Sequence, residues 1–491
     1  MAFCALRKST TTIANYALRV EKRKSMNKKI KICYIGGGSK AWARVFMSDL
    51  AVAEDLSGEI ALYDIDKVAA ERNAKIGAYI NADPATKSKF DYIVYDDLES
   101  ALKGADFVAI SILPATFKEM RSDVHAPEKY GIYQSVGDTA GPGGVLRAMR
   151  TVPIYEGFAK AIKNICPDAW VINFTNPMSI CVKTLFDVFP EVKAFGCCHE
   201  VFHAQELFTV ILKELKGINV HRSALYTDSC GVNHFTWITE AKYQNIDLMK
   251  LLPDFIDKFG QEGYFEQEGA DRFQFNWDPF AYGNLVKFDL YKKYGALAAA
   301  GDRHLVEFCP ADWYLKDPET VKKWKFNLTT VDYREKRQAE RIAETILMAE
   351  GKKKFEVKKS SEEAVDIMKA LLGYDKLVSN VNTVNKGQMP QLPHGAIVET
   401  NCVFTNDMIK PVLSNPLPDG AIDMVRTASD NIERCYRGIK YRDLDEIFNS
   451  FTNQLLCRDL EKATAKRLFK EMCFNTREYL DPYFDLDKYF G

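Results

Sequence analysis

The chain carries almost no net charge: 66 Lys and Arg oppose 67 Asp and Glu, a formal balance of -1 over 491 residues. That excludes a broad nucleic-acid footprint and a polybasic membrane anchor, since either partner would need a local basic patch. No apolar run approaches the roughly 18 residues that a bilayer-spanning helix needs. There is no repeat of fixed period and no sharp low-complexity linker. No secretory hydrophobic stretch precedes the 12 cysteines, and Cys33, Cys181 and Cys457 fall inside apolar segments. Reduced thiols in a cytoplasmic protein are therefore expected, not a disulfide framework. What is left is the composition of an ordinary globular enzyme, long enough for two or three domains.

Residues 1–28 stand apart, with Arg7, Lys8, Arg19, Lys22, Arg23, Lys24 and Lys28 against the single acid Glu21. This stretch reads as a disordered tail or as sequence upstream of a start at Met26; an organelle presequence is the other reading. The folded part is expected to begin at Lys29.

From there an apolar strand, Lys29 to Ile35, opens directly onto Gly36-Gly37-Gly38-Ser39. A helix over 41–53 and a second strand over 59–63 follow, and Asp64 closes that strand. The glycines do not spell a strict G-x-G-x-x-G, and a lone glycine cluster can be only a turn. The βαβ order with a terminal acid favours a dinucleotide site. Side-chain-free residues let a pyrophosphate approach backbone N–H groups at a helix start, and the carboxylate accepts from the ribose hydroxyls. An acid at Asp64 with no arginine directly after it favours NAD over NADP.

Further strands are expected over 90–95, 107–112, 170–174 and 192–195, with helices over 98–103 and 145–165 and a long Gly- and Pro-rich loop before the latter. Strands alternating with helices imply a doubly wound, mostly parallel α/β sheet of the Rossmann type. Ligands bind such sheets beyond the carboxyl ends of the strands. Beyond about residue 215 the texture changes to longer helices (332–353, 361–371, 421–437, 444–457, 463–474) with strands near 223–230, 235–241 and 396–404. The expected division is 29–215 for the nucleotide-binding domain and 216–491 for an α+β domain that carries catalysis and a dimer contact. The charged face 334–341 is expected to be solvated.

Several strand ends carry reactive side chains. Gly196-Cys197-Cys198-His199-Glu200 and Cys230-Gly231-Val232-Asn233-His234 supply thiols and imidazoles. One sulfur and one ring nitrogen, Cys198 with His234, could hold a divalent metal with positions left open for substrate, or both could be packed core residues. His199-Glu200-Val201-Phe202-His203 also spells H-E-x-x-H, but His199 comes straight off a strand, and a protease has no use for the nucleotide fold upstream. The loop Gly137-Asp138-Thr139-Ala140-Gly141-Pro142-Gly143-Gly144 reads as a flexible connector or a close approach to ligand, with Asp138 accepting from hydroxyls. Asn176 ends another strand, and Ser111 lies near the end of the apolar strand 107–112. Gly301-Asp302-Arg303-His304 and Glu307 form an ionisable cluster that could equally be a buried ion network.

Taken together, these motifs with Thr175-Asn176-Pro177-Met178 and Gly231-Val232-Asn233-His234-Phe235 resemble glycoside hydrolase family 4, most closely its α-galacturonidase branch. The resemblance spans nearly everything from residue 30 onward and implies a lactate/malate dehydrogenase-like fold with NAD+ and Mn2+ or another divalent metal as cofactors. It implies oxidation of the sugar at C3, loss of the C2 proton, departure of the C1 substituent, addition of water and reversal. Carried over to this chain, Cys198 and His234 become the metal ligands. Gly36, Gly37, Gly38, Ser39, Asp64 and Ser111 become the NAD contacts, and Asp138 and Asn176 the contacts to sugar hydroxyls. His199 falls where relatives have an acid that protonates the leaving oxygen. Relatives often use a tyrosine as the C2 base; here Asp302 matches that segment, with Tyr294 in reserve. Arg303, or else Arg147, is the cation for a substrate carboxylate. A homodimer or dimer of dimers acting on a small sugar acid, with no nucleic acid or membrane partner, is implied. The alternatives are an α-glucosidase or α-glucuronidase of the same family, a lactate/malate-type dehydrogenase, and a nucleotide-binding module without turnover.

Overall fold

The computed structural model describes residues 29–265 and 278–491, so the basic stretch 1–28 lies outside the described residues. Six strands, β1 (Lys29–Ile35), β2 (Ser57–Tyr63), β3 (Phe90–Val94), β4 (Phe107–Ile110), β5 (Trp170–Asn173) and β6 (Lys193–Gly196), run parallel in the order β3-β2-β1-β4-β5-β6. This is the strand order of a doubly wound nucleotide-binding sheet. Alternation along β1 feeds two cores. Ile30, Ile32 and Tyr34 pack with Met47 and Leu50 on one face, while Cys33 and Ile35 pack with Tyr155 and Ala159 on the other. Because helices cover both faces, all four residues of β4 are buried, which is why it reads as an unbroken apolar run.

The sheet does not stop at β6. It continues through β7 (Tyr226–Val232), β8 (Phe235–Tyr243), β9 (Ile246–Asp247), β10 (Leu297–Ala298), β11 (Leu377–Val384), β12 (Ile397–Thr405) and β13 (Met408–Pro411). The order runs on as β6-β11-β12-β7-β8-β10, now antiparallel, with β9 on β8 and β13 on β12. The parallel and antiparallel halves meet at one pairing, Gly196 with Asn382. A Cβ at Gly196 would lie 2.7 Å from Met178 Sδ and 3.2 Å from Asn382 Cβ, so the seam closes only on glycine.

Two segments differ from the sequence expectation. The long loop before the 145–165 helix contains a helix, Phe117–His125, whose start is fixed by a reciprocal capping box between Thr116 and Glu119. The next helix runs Gly141–Ile165 and takes up the last four residues of the presumed glycine loop. Glycine weakens a helix in isolation, but a Cβ at Gly143 would meet Gly137 O at 2.7 Å and one at Gly144 would meet Thr139 O at 2.5 Å. Packing of the helix start against the preceding turn therefore overrides propensity. Strand β11 was not expected, because its inward positions Asn380 and Asn382 are polar. The amide nitrogen of each is bonded across the sheet, Asn380 Nδ2 donating to Ser229 Oγ (2.9 Å) and Asn382 Nδ2 to Glu399 Oε1 (2.8 Å). Among the described residues, no helix is long and apolar enough to cross a membrane.

Candidate active site

At the carboxyl end of β1 the chain turns on Gly36, with φ +94°. Its N–H and that of Gly37 both donate to Tyr63 O at 2.9 Å. A Cβ at Gly36 would sit 2.0 Å from the carbonyl oxygen of Ser111, so the turn requires glycine and Ser111 walls it from the end of β4. Asp64 Oδ2 accepts from Gly38 N (2.8 Å) and Oδ1 from Asp66 N, which fixes the acid at the end of β2. Ser39 donates its N–H to Gly36 O, and Asn73 Nδ2 ties down Gly37 O and Ser39 O. The following helix, α1 (Trp42–Val52), has no side chain capping its start. The uncapped start of α1, a surface without side chains and a fixed acid suit a dinucleotide pyrophosphate and ribose.

Trp42, the first residue of α1, leads to the second part of the site, its ring 5.6 Å from that of His199. His199 follows β6 and Cys198, and its Nδ1 lies 3.3 Å from Glu362 Oε1. The next residue, Glu200, begins helix α2 (Glu200–Lys216) and is buried. Glu200 is the hub of the cluster. Its Oε2 accepts from Gly301 N (2.8 Å), and its Oε1 lies 3.4 Å from His304 Nε2, 3.8 Å from His199 Nε2 and 3.9 Å from Arg303 Nη2. His203 Nδ1 is 3.9 Å from Oε2. Burial pushes the Glu200 carboxyl upward, but the His304, His203 and His199 rings outweigh it and hold the group well below the usual carboxylate range. The H-E-x-x-H spelling thus yields a carboxylate held among imidazoles, with His199 preceding α2 and not sharing a helix face with His203.

His234 enters from the β7–β8 turn with φ +63°. Its ring lies 4.0 Å from that of His304, tilted by 37°, and its Nδ1 is buried without a hydrogen-bond partner. Burial first, and the His304 ring second, lower it to about 3, so the imidazole is neutral with a lone pair to offer. The adjacent Asn233 amide lies against both the Cys198 thiol and the Glu399 carboxyl, which brings the end of β6 to the β7–β8 turn. Burial, with Glu399 and Glu200 adding to it, keeps the Cys198 thiol well above its ordinary range. Among the described residues no three His, Cys, Asp or Glu side chains form a closed metal cage. One thiol and one imidazole with an unsatisfied nitrogen fit an open site, in which substrate oxygens complete the coordination.

Asp138 faces the same cluster. Burial opposes its ionisation, yet the Arg147 and Arg334 guanidiniums hold it well below the usual carboxylate range. Arg147 Nε donates to Asn176 O (3.0 Å), and the Asn176 side-chain oxygen is buried with no partner, open to a ligand hydroxyl. Arg303 lies with its guanidinium 4.5 Å above the Phe280 ring. Behind Asp138, Glu307 Oε1 accepts from Val136 N (2.7 Å) and Gly137 N (2.8 Å), and burial pushes its carboxyl up to about 7. The structure thereby brings together Cys198, His199, His234, Asp138, Asn176 and Arg303.

The two residues considered as C2 base lie elsewhere. Asp302 is fully buried and accepts from Val286 N (3.3 Å) and Lys287 N (3.1 Å) at the start of helix α3 (Leu285–Tyr294). Both of its oxygens are committed to backbone, with the Lys287 ammonium alongside, although burial pushes the group up to about 6. Tyr294 packs on Trp237 and against Gly420 in the core, away from the cluster. The phenol the fold does bring there is Tyr282: a Cβ on Gly301 would meet its Cε1 at 2.8 Å and its hydroxyl at 3.3 Å. Sequence reasoning also missed Glu200, Glu362 and Arg334. Arg334 belongs to the face expected to be solvated, on helix α4 (Val331–Ala349), yet it donates through Nη2 to Val136 O (2.8 Å) and through Nε to Thr329 O (3.3 Å). The signal available for Glu200 was its place directly after Cys198-His199; nothing local marks Tyr282, Glu362 or Arg334.

Comparison with known proteins accords with this geometry. Residues 31–214 match the model of the family 4 glycosyl hydrolases and residues 229–457 that of the family 4 glycosyl hydrolase C-terminal domain. The chain is 50% identical over 455 residues to an alpha-galacturonidase of Thermoanaerobacterium saccharolyticum, covering 92% of this chain and 97% of that one. It is 44% identical over 447 residues to an alpha-galacturonidase of Bacillus subtilis, covering 90% and 97%. The crystal structure of the Bacillus subtilis protein lplD superposes with a TM-score of 0.85 at 44% identity, covering 90% of this chain and 99% of that chain. The chain belongs to family 4 of the glycosyl hydrolases.

Proposed function

We propose that this hydrolase cleaves α-galacturonides using NAD+ and a divalent cation such as Mn2+. The observation that carries the reading is the convergence on Glu200 of three segments distant in sequence: the end of β6 with Cys198 and His199, the β7–β8 turn with His234, and the 301–304 segment. The names of relatives at 44–50% identity supply the substrate class.

NAD+ would lie on Gly36, Gly37, Gly38 and Ser39 with its ribose at Asp64. Beside Asp64, Ile65 is 97% exposed, an apolar face suited to an adenine ring. Cys198 and His234 would hold the cation. When bound, the two groups supply a hydride acceptor for C3 and a Lewis acid for the sugar O2 and O3. The chain's own residues do the rest. Asp138 and Asn176 hold hydroxyls and present one face of the ring. Once C3 is a carbonyl, the C2 proton is acidic, and Tyr282 takes it in the place proposed from sequence for Asp302 or Tyr294. His199, held at Nδ1 by Glu362, has Nε2 to give a proton to the leaving oxygen at C1. Water would then add at C1 with His199 taking its proton, Tyr282 would return the proton to C2, and the bound dinucleotide would supply the hydride that restores C3.

The test is release of p-nitrophenol from its α-D-galacturonide, with NAD+ and Mn2+ each omitted in turn. Product should need both, and no NADH should accumulate. Net NADH formation with the sugar acid would mean a dehydrogenase instead.

A further inference from the structure

Arg147 and Arg334 both face Asp138, and Arg303 lies close to Arg334. Arg147 also hangs by Nε on Asn176 O. Arg303 has Glu200 nearest, at 3.9 Å, beyond hydrogen-bond reach; that carboxylate is already surrounded by His199, His203, His304 and the Gly301 N–H. Arg334 lies near Glu307, whose Oε1 is spent on two backbone N–H groups. One residue yokes the two: Thr329 accepts from Arg334 Nε with its carbonyl oxygen (3.3 Å) and from Arg303 Nη1 with its hydroxyl (3.5 Å). Among the described residues, Arg334 Nη1 and Arg303 Nε and Nη2 make no hydrogen bond. Phe280 covers the Arg303 guanidinium at 4.5 Å and packs edge-on at 6.2 Å against Tyr333, the neighbour of Arg334. This aromatic clasp holds the Arg303 fork flat, which favours planar recognition of an anion.

We infer that Arg303 and Arg334, yoked by Thr329, form the seat for the C6 carboxylate of the hexuronide and set the preference for uronides over neutral hexosides. The inference rests on the galacturonide reading above. It adds to the single cation expected from sequence a second one from α4. A carboxylate presents two oxygens to the free nitrogens of two guanidiniums, a charge-assisted contact that a C6 hydroxymethyl cannot make. Asp138, anchored between Arg147 and Arg334, keeps the hydroxyl side of the ring distinct from the carboxylate side.

The experiment uses the full chain with NAD+ and Mn2+ and compares p-nitrophenyl α-D-galacturonide with p-nitrophenyl α-D-galactoside, for wild type, Arg334→Met and Arg334→Lys. A charged fork lost from a carboxylate is worth on the order of 100-fold in discrimination. Arg334→Met should lower the uronide-to-galactoside ratio of kcat/KM by that factor, through KM on the uronide, with D-galacturonate inhibition weakened in parallel. Arg334→Lys keeps charge but not the fork and should fall between. If Arg334→Met fails to fold, Arg334→Lys and Thr329→Val carry the same comparison. Equal losses on both substrates, with the ratio preserved, would mean that Arg334 only supports the Val136–Asp138 turn and would overturn the seat. A wild type that cleaves the galactoside and not the galacturonide would overturn the substrate reading and the seat with it.

Discussion

Replacing Glu307 by Gln should make the protein more stable above neutral pH, and the size of the gain follows from its surroundings. Glu307 is buried, with an unfolded-chain value of 4.5 raised to about 7 in the fold; burial is the largest cause, and Asp138 adds to it against the Val136 and Gly137 N–H groups and Arg334. A carboxyl raised on folding binds its proton more tightly in the native state. Its contribution is therefore complete below 4.5 and is lost as pH rises toward 7. At 1.36 kcal/mol per pH unit, a rise from 4.5 to about 7 makes the full loss about 3 kcal/mol, most of which falls between pH 5 and pH 8. Gln keeps a side-chain oxygen for the Val136 and Gly137 N–H groups. Its new N–H2 faces a cavity that Glu307 lines with Thr139, Phe308 and Gln454. Urea unfolding of wild type and Glu307→Gln at pH 5 and pH 8 measures the difference. The variant should gain about 2–3 kcal/mol relative to wild type across that interval. Parallel pH dependences would refute the reasoning, because they would mean that Glu307 binds its proton no more tightly in the fold than in the unfolded chain.

Gly36→Ala forces a Cβ to within 2.0 Å of Ser111 O at φ +94°, so the turn must open; NAD+ affinity by calorimetry should fall more than about tenfold, since left-handed strain alone costs about 1–2 kcal/mol. Tyr282→Phe should lower kcat by roughly 10²- to 10⁴-fold while NAD+ binding persists, and exchange of the C2 proton with deuterated water should cease; exchange at the wild-type rate would remove Tyr282 as the base. Arg150→Met leaves Asp123 buried without the guanidinium that bonds both its oxygens, and thermal and urea melts should show a loss of about 3–5 kcal/mol.

The parts of the site that the sequence disclosed are those whose constraint is local. Gly36 turns because of its own backbone angle and the strand end beside it, and Asp64 is held by Gly38 and Asp66, all within one βαβ unit. Cys198 and His234 could be proposed because each follows directly from a strand end. What stayed hidden depends on partners far along the chain. Asp302 stood as the candidate base because it falls in the segment where relatives of the family have a tyrosine. Its actual task is set by α3, which starts at Leu285 with no capping side chain and no acid in its first turn. Those orphan N–H groups need an acceptor, and Asp302 provides it from sixteen residues away. Strand β11 escaped for a similar reason, since the amide nitrogens of its buried asparagines find their acceptors, Ser229 and Glu399, on other strands.

The same logic explains why Glu200 is the centre of the site. A buried carboxylate is costly unless it is hydrogen-bonded and paired, and its partners here are drawn from three places: α2 and the end of β6, the 301–304 segment, and through His304 the β7–β8 turn. Satisfying that one group therefore fixes the relative positions of Cys198, His234 and Gly301, which neither half of the sheet could do alone. The half-sheets meet at the single Gly196–Asn382 pairing two residues before Cys198, and Asn382 in turn bonds Glu399, against which the Asn233 amide rests. Side-chain contacts thus run from the seam through Asn382, Glu399 and Asn233 to the two residues proposed to hold the cation. A thiol and an imidazole make a weak metal site unless their separation is preset, because each ordering event costs entropy that the metal must otherwise supply. Here the ordering is done on folding, by the join between the parallel and antiparallel strands, which is why the reactive groups gather at that join and not at the mouth of either half.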